Sequence, residues 1–484
     1  MQMLFWGSIM NKFIGRRVEL ELLDTFKKKS TASFIVLMGR RRIGKSRLIK
    51  EFGKSFDVFY SFVGLAPDRG VTRVDQLNEF SYQFAKQFNT PRIEFNSWND
   101  ALWMLGERLQ KGNILLAFDE ISWMGYEDPT FLSHIKTFWD EYLKKNPKLI
   151  FIVCGSASSW IAKNILSGTG FVGRISHTFT LTELSLQECD AFWPKNVAPY
   201  EKYKILSITG GIPRYLEEIH PKLPAEENIR QLCFIKGGML VNEFNQIFSD
   251  IFLRGSHIYK KILYSLVSGS KSRNELCQIL KISKGGRMSE YLNELELSGF
   301  ITRDFTWDIA TGKDSKLSTY RLKDNYIRFY LKYIDGNLSK INRDTFAFKS
   351  LSSLSEWNTV LGLQFENLVL NNRALIHKYL QIRPEDIVVE NPFYQHKTPR
   401  GGGCQIDYMI QTKYGTLYIC EIKFSKNIIG AEVIKEVQQK IDMLQRPKGY
   451  SCRPVLIHIN GVSDSIVDQD YFVEIIDVFS FLQA

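Results

Sequence analysis

No C-x-x-C pair occurs in this chain, and its seven cysteines are scattered and odd in number, which argues against a disulfide framework or a zinc site. Reduced thiols in a cytoplasm are the expectation. Long apolar runs are missing too: none approaches the ~20 residues that a membrane-spanning helix needs, so no membrane partner is expected. The opening MQMLFWGSIM is apolar only briefly and its basic residues follow that stretch, unlike a secretory signal; Met10 is a candidate start. No internal repeat or low-complexity tract is visible. Acidic side chains are the scarcer charge, 52 against 63 Lys and Arg, for a formal net charge of +11. Such an excess biases a protein toward polyanionic partners through phosphate contacts.

With 484 residues the chain exceeds what one hydrophobic core usually serves, so several domains are expected. From residue 10 to about 190, short apolar runs (SFIVLMG, NILLAFDE, KLIFIVCGS) alternate with amphipathic stretches. That is the pattern of buried parallel strands between helices, hence an α/β sheet covered on both faces. Strand character then stops. SLQECDAFW opens with Ser185 and Glu188 at capping-box spacing, and residues 191–250 read as helices broken by glycine. Residues 251–335 carry three helical patterns, the second with Ser272 and Glu275 as a capping box, and then a strand pair. This is the order of a winged helix-turn-helix. On its third helix Lys284, Arg287 and Tyr291 share one face that could enter a major groove, although Glu290, Glu294 and Glu296 dilute the charge. After the connector SKINRDTFAFKS, residues 355–484 open with a helix and continue with two strand patterns, CQIDYMI and TLYICEIKF, separated by the turn-like QTKYG.

Gly39-Arg40-Arg41-Arg42-Ile43-Gly44-Lys45-Ser46 satisfies G-x-x-x-x-G-K-[ST] and stands between the strand SFIVLM and the helix SRLIKEF. In that context backbone N–H groups and the helix dipole face nucleotide phosphates. Lys45 would bridge the β- and γ-phosphates of ATP, and Ser46 would ligate Mg²⁺. A phosphate loop needs a second strand that brings a carboxylate to the metal. ILLAFDE supplies it: Asp119 would orient Mg²⁺ and Glu120 would polarise the attacking water, which argues for hydrolysis over nucleotide storage. At the end of a third strand, Ser156 to Ser159 either reach the γ-phosphate and lytic water or cap a helix. Arg174 is a candidate arginine finger, within or between subunits of a homo-oligomer, or else a surface arginine.

FIGRRVELELL, GRRRIGKSRLI, LLAFDE, VCGSASSWI, TGGIPRYL and YRLKDNYIRFYLKYI, in this order, together resemble the archaeal-type AAA ATPases of prokaryotes, a group similar to the signal-transducing STAND NTPases. The resemblance spans nearly the whole chain. It implies a P-loop NTPase core at 10–190 and a helical lid at 191–250, in which Gly210, Gly211 and Pro213 specify a bend. A winged helix at 251–335 and a restriction-endonuclease-like α/β domain at 355–484 would follow. Under it, the backbone of Arg40 to Arg42 forms the anion nest while their side chains point outward.

In the last segment Asp407 and, two residues apart on one apolar strand, Glu421 and Lys423 would share a face. Ionisable groups inside apolar strands are costly unless they bind metal, pair, or lie at an exposed edge. This arrangement resembles the PD-(D/E)XK nucleases. The resemblance implies that Asp407 and Glu421, with Glu366 as an accessory acid, hold Mg²⁺, that Lys423 positions a bound water, and that Gln438 or Gln439 follows the core strands. Ile406 stands where that family has a proline. The expectation is an ATP-hydrolysing switch coupled to a DNA-directed, Mg²⁺-dependent nuclease-like domain. The competing expectation is a regulatory ATPase whose last domain only binds a partner or nucleic acid, with Asp407 or Glu421 in a structural ion pair with Lys423.

Overall fold

The computed structural model describes residues 12–67, 70–251, 256–283, 285–397 and 402–482. Two compact units divide the chain, Met1–Thr182 and Glu183–Ala484. Met10 and Lys284 lie outside the described residues. Among the described residues no helix is long and apolar enough to cross a membrane.

In the first unit the strands are β1 (Ser33–Met38), β2 (Val58–Val63), β3 (Ile114–Asp119), β4 (Leu149–Gly155) and β5 (His177–Thr180). They form one sheet in the order β2-β3-β4-β1-β5, and every neighbouring pair is parallel. Each residue of β1, β3 and β4 is buried, as continuous apolar strands covered on both faces must be. Strand β2 lies at an edge, and its residues are mostly half-buried or exposed. Helices Arg73–Phe88 and Trp98–Glu107 begin at Thr72 and Ser97, whose hydroxyls accept the backbone N–H of Asp75 and Asp100. Phenylalanine dominates the core beneath them: the Phe118 ring meets Phe62 at 5.7 Å and Phe151 at 5.2 Å, and Phe151 meets Phe34 at 4.9 Å. Each such fully buried ring contributes about 1.5–3 kcal/mol. The sheet is that of a P-loop NTPase fold. Its order places β4 between the strand that feeds the phosphate loop and the strand that ends in Asp119.

After the short helix Leu186–Cys189, the second unit continues with helices Pro199–Thr209, Pro213–Leu216, Ala225–Cys233 and Met239–Ile251. The break between Pro199–Thr209 and Pro213–Leu216 is Gly210-Gly211: Gly210 has φ +56°, and a Cβ on Gly211 would stand 2.2 Å from the Leu184 carbonyl oxygen. Helices Ser256–Ser265, Arg273–Leu280 and Gly286–Leu297 follow, then an antiparallel hairpin of β7 (Ile301–Trp307) and β8 (Asp314–Leu322), with the short β6 (Lys271–Ser272) on the other side of β8. The capping boxes at Ser185/Glu188 and Ser272/Glu275 are both formed.

The last sheet is mixed, in the order β13-β12-β11-β10-β9. Its strands are β9 (Ile387–Gln395), β10 (Cys404–Thr412), β11 (Thr416–Lys423), β12 (Ser451–His458) and β13 (Glu474–Asp477). The pairs β9/β10 and β10/β11 are antiparallel, whereas β11/β12 and β12/β13 are parallel. Between Ile406 and Met409 the β9/β10 register shifts, so that Asp407 and Tyr408 face the single residue Pro392. Proline cannot donate to the ladder and is tolerated on an edge strand at a bulge. Trp307 and Ile309 at the hairpin end share a hydrophobic core with Phe393, Ile406, Leu417 and Val437. The Trp307 indole N–H also donates to Gln411 Oε1 at 2.6 Å. The hairpin and the mixed sheet are therefore packed as one body, across the connector that the sequence places between them.

Candidate functional site: a phosphate loop and a carboxylate cluster

Residues 39–46 run from the buried end of β1 into helix Lys45–Gly53. The turn needs left-handed backbone at Gly39 (φ +143°) and Gly44 (φ +95°), and a Cβ on Gly39 would stand 2.7 Å from the Leu181 carbonyl oxygen. Lys45 is buried, and its ammonium donates to the carbonyls of Gly39 at 2.7 Å and Arg40 at 3.1 Å. Burial lowers its pKa, opposed by the negative ends of Glu120 and Asp119. Ser46 donates its hydroxyl proton to Asp119 Oδ2, so the two groups expected at one metal are in contact. Arg41, Arg42 and Gly44 are half-buried and Ile43 is buried. Arg40 corrects the expectation of an outward side chain: it is 5% exposed, and its charge acts on Lys45 to lower the lysine pKa further.

Because β4 lies between β1 and β3, its end reaches both carboxylates. The Cys154 thiol donates to Asp119 Oδ1 at 2.9 Å, and burial pushes that thiol well up, keeping it a donor. Ser156 donates through its backbone N–H and its hydroxyl to Glu120 Oε2, each at 3.0 Å. Glu120 sits in left-handed backbone (φ +51°) just beyond β3. Burial raises its pKa against the pull of Lys45 and the Ser156 hydrogen bonds, the shift expected of a carboxylate that must accept a proton. Ser156 thus holds the glutamate, a partner that neither sequence alternative for the serine cluster included. Arg16 was missed altogether: its guanidinium donates to the carbonyls of Ile43 at 3.0 Å and Thr182 at 2.6 Å, fastening the loop from beneath. The GRR at 15–17 was its only sequence signal.

Arg174 is placed on Asp140 of helix Phe131–Glu141, with Nε–O distances of 3.1 Å and Nη2 at 2.8 Å. A role at the phosphates would require it to exchange that bidentate partner.

In the second unit Asp407 on β10 and Glu421 on β11 come together. The Ile422 backbone N–H donates to Asp407 Oδ2 at 2.9 Å. Glu421 is 3% exposed, flanked by Lys423 Nζ at 3.3 Å and Lys440 Nζ at 2.5 Å. Lys440, from helix Glu432–Met443, also stands 4.0 Å from Asp407 Oδ1. The sequence reading did not include it; three residues separate it from Glu436, which itself pairs with Lys423 at 2.6 Å. Burial first, then the neighbouring Glu421 charge, push the Asp407 carboxyl up to about 7. Gln439 lines a cavity together with Asp407, Glu421 and Lys440, whereas Gln438 bonds Asp442 and Tyr471. Among the described residues no three His, Cys, Asp or Glu side chains close into a metal cage.

Glu366, on helix Trp357–Leu370, lines a cavity of about 580 Å³ with Asp407 and Lys423. Burial raises its pKa, and the charges of Arg321 and Arg328 oppose that rise. Arg321 pairs with Asp304 at 2.8 Å and bonds the Asn367 side-chain oxygen. Arg328, fully buried, donates to Gln364 Oε1 at 2.9 Å and to the Leu322 carbonyl at 2.9 Å, and burial lowers it to about 9. The two arginines tie the hairpin to the helix that carries Glu366.

Residues 13–219 match the family model of an ATPase domain found predominantly in Archaea. The domain binds ATP. An uncharacterized protein of Methanocaldococcus jannaschii is 28% identical over 358 residues, covering 74% of this chain and 76% of that protein. An uncharacterized ATP-binding protein of the same organism is 45% identical over 47 residues, 10% of this chain and 76% of that protein. Among solved structures, a Walker-type ATPase of Pyrococcus abyssi aligns over 66% of this chain and 96% of its own, at 18% identity and a TM-score of 0.49. The ORC2 protein of Aeropyrum pernix, in ADPNP–ADP complexes, covers 69% and 98% at 15% identity and a TM-score of 0.41.

Proposed function

We propose that this protein hydrolyses ATP in its first unit and couples nucleotide state to a nucleic-acid-directed, Mg²⁺-dependent nuclease centred on Asp407, Glu421 and Lys423. The observation that carries the reading is the meeting of two carboxylates and a lysine at one end of adjacent strands, beside Glu366, with Asp407 held up to about 7. Carboxylates this crowded and desolvated repel one another, and a divalent cation is the partner that relieves both costs. Asp407 and Glu421 are the pair that would hold Mg²⁺, with Glu366 as an accessory acid in the adjoining cavity, and when bound it would lower the pKa of a water and neutralise phosphate charge. Lys423 would orient the attacking water and face the scissile phosphate. Residues 251–335 are read as a winged helix that positions this segment.

At the phosphate loop, Ser46 and Asp119 would hold a second Mg²⁺. Lys45 would exchange its loop carbonyls for phosphate oxygens, and Glu120 would take a proton from the attacking water.

A second reading is favoured by one contact. Lys440 lies against Glu421 at 2.5 Å, which is also how a structural ion pair would look in a segment that binds nucleic acid without cutting it. Incubating the protein with supercoiled, linear and branched DNA in Mg²⁺ or Mn²⁺, with and without ATP, separates the two. Cleavage lost in Glu421→Ala, with ATP hydrolysis retained, supports the nuclease. Intact DNA in every lane with ATP still consumed supports the binding switch.

A further inference from the structure

The two cavities at the carboxylates adjoin a larger cleft within the second unit. This cleft of about 1190 Å³ runs between helix Gly286–Leu297, β8 and β9. It shares Glu366 with the cavity of about 580 Å³ that contains Asp407. It shares Cys404 and Gln405 with the cavity of about 490 Å³ that contains Glu421 and Lys440. The outer cleft exceeds the ~300–1,000 Å³ typical of a small-molecule pocket; an oligomer fits it better than a metabolite.

The lining says which oligomer. The face that helix Gly286–Leu297 turns to the cleft carries Ser289, Asn293 and Glu296, while Tyr291 packs on the Tyr259 ring at 5.2 Å. Opposite, β9 offers the ring of Tyr394, 5.9 Å from His396. Three of the four acids that line the cleft are engaged: Asp304 is held by Arg321 at 2.8 Å, Glu275 accepts the Ser272 backbone N–H at 2.6 Å, and Glu296 accepts the Arg303 backbone N–H at 3.1 Å; the fourth, Glu366, stands where the cleft meets the cavity of Asp407. Arg303 and Lys316 are exposed at its walls, and the Arg303 Nε is steadied by Ser318 Oγ at 2.9 Å. Few cations, many neutral hydrogen-bonding side chains and an available ring suit exposed bases, which must be stacked and hydrogen-bonded on their edges. A duplex, with its bases already paired, is met chiefly through its phosphates.

We propose that this groove binds an unpaired nucleic-acid strand and leads it past Glu366 to Asp407 and Glu421. The destination rests on the nuclease reading; the binding does not. The test is fluorescence anisotropy of the full chain in EDTA with a 16-nucleotide DNA strand, the RNA of the same sequence, and the matching DNA duplex. Single strands are expected to bind about tenfold or more tightly than the duplex, and the DNA and RNA arms identify the preferred sugar. Loss of a stacking ring, Tyr394→Ala, is expected to weaken strand binding about fivefold or more, with Tyr394→Phe restoring it; Arg303→Ala weakens it as well. The melting temperature and ATP hydrolysis of each variant establish that it has folded. Equal or tighter duplex binding, or variants that bind like the parent, overturns the inference. Cleavage of the same strands in Mg²⁺ is read separately: strands bound but uncut remove the nuclease and leave the groove, whereas strands cut without dependence on Arg303 and Tyr394 do the reverse.

Discussion

Lys440 Nζ lies 2.5 Å from Glu421 Oε2 and 4.0 Å from Asp407 Oδ1, so one ammonium group serves a buried carboxylate and a half-buried one. Lysine does here, in part, what a divalent ion would do. Lys440→Ala leaves Glu421, 3% exposed, with Lys423 as its remaining ion-pair partner, and the protein should lose about 1–3 kcal/mol. Mg²⁺ should then raise the melting temperature of Lys440→Ala more than that of the parent. An equal Mg²⁺ response in the two proteins would count against a metal site at these carboxylates.

Asp407 gives a pH dependence of definite sign. Its folded pKa, about 7, lies above the 3.8 of an ordinary aspartate, so the folded state holds a proton that the unfolded chain has released. Without metal, the stability due to this group should fall as pH rises from about 4 to 7 and stay low above that. Asp407→Asn should flatten that part of the curve, as read from urea midpoints in EDTA between pH 4 and 8.

Glu120→Gln keeps the size and most of the hydrogen bonding of the glutamate but cannot accept a proton. ATP binding, read as a nucleotide-dependent rise in melting temperature, should survive while turnover falls about 10²–10⁴-fold. Lys45→Ala should instead remove the thermal response itself. If Glu120→Gln hydrolyses ATP at the parental rate, the base must be sought elsewhere.

Gly211→Ala puts a methyl 2.2 Å from the Leu184 carbonyl oxygen, a backbone atom with little room to move. A loss of about 1–3 kcal/mol is expected in the second unit, measured as a shift in its proteolysis or urea midpoint. The first unit's response to nucleotide serves as the internal control.

Much of this was legible in the sequence because the signals are local. The apolar strands around residues 33–38, 114–119 and 149–155 are buried along their whole length, and two Ser/Glu spacings did mark helix starts. CQIDYMI and TLYICEIKF do pair, and their pairing brings Asp407 beside Glu421. What escaped depends on partners distant in sequence. Lys440 belongs to the carboxylates through a helix crossing, Arg16 reaches Ile43 across 27 residues, and Ser156 meets Glu120 because β4 lies next to β3. Arg40 looks in sequence like its two half-buried neighbours, and only packing distinguishes it. Nor does any local pattern say that Trp307, from the hairpin, completes the core of the last sheet.

One imino acid settles which side chain arrives at the carboxylates. Pro392 has no N–H to offer β10, and across from it the strand spends two residues where one would do. Those two then take up different company: Asp407 meets the Ile422 amide, while the Tyr408 hydroxyl goes to Glu390 at 2.5 Å, where His377 also bonds. A residue with an amide proton at 392 would invite the strand to slip by a single place, and every side chain upstream of the slip would change sides. Pro392 therefore works as a spacer in the register of the sheet. It makes no contact with phosphate or metal in any step above, yet it sets the address at which the acid is delivered.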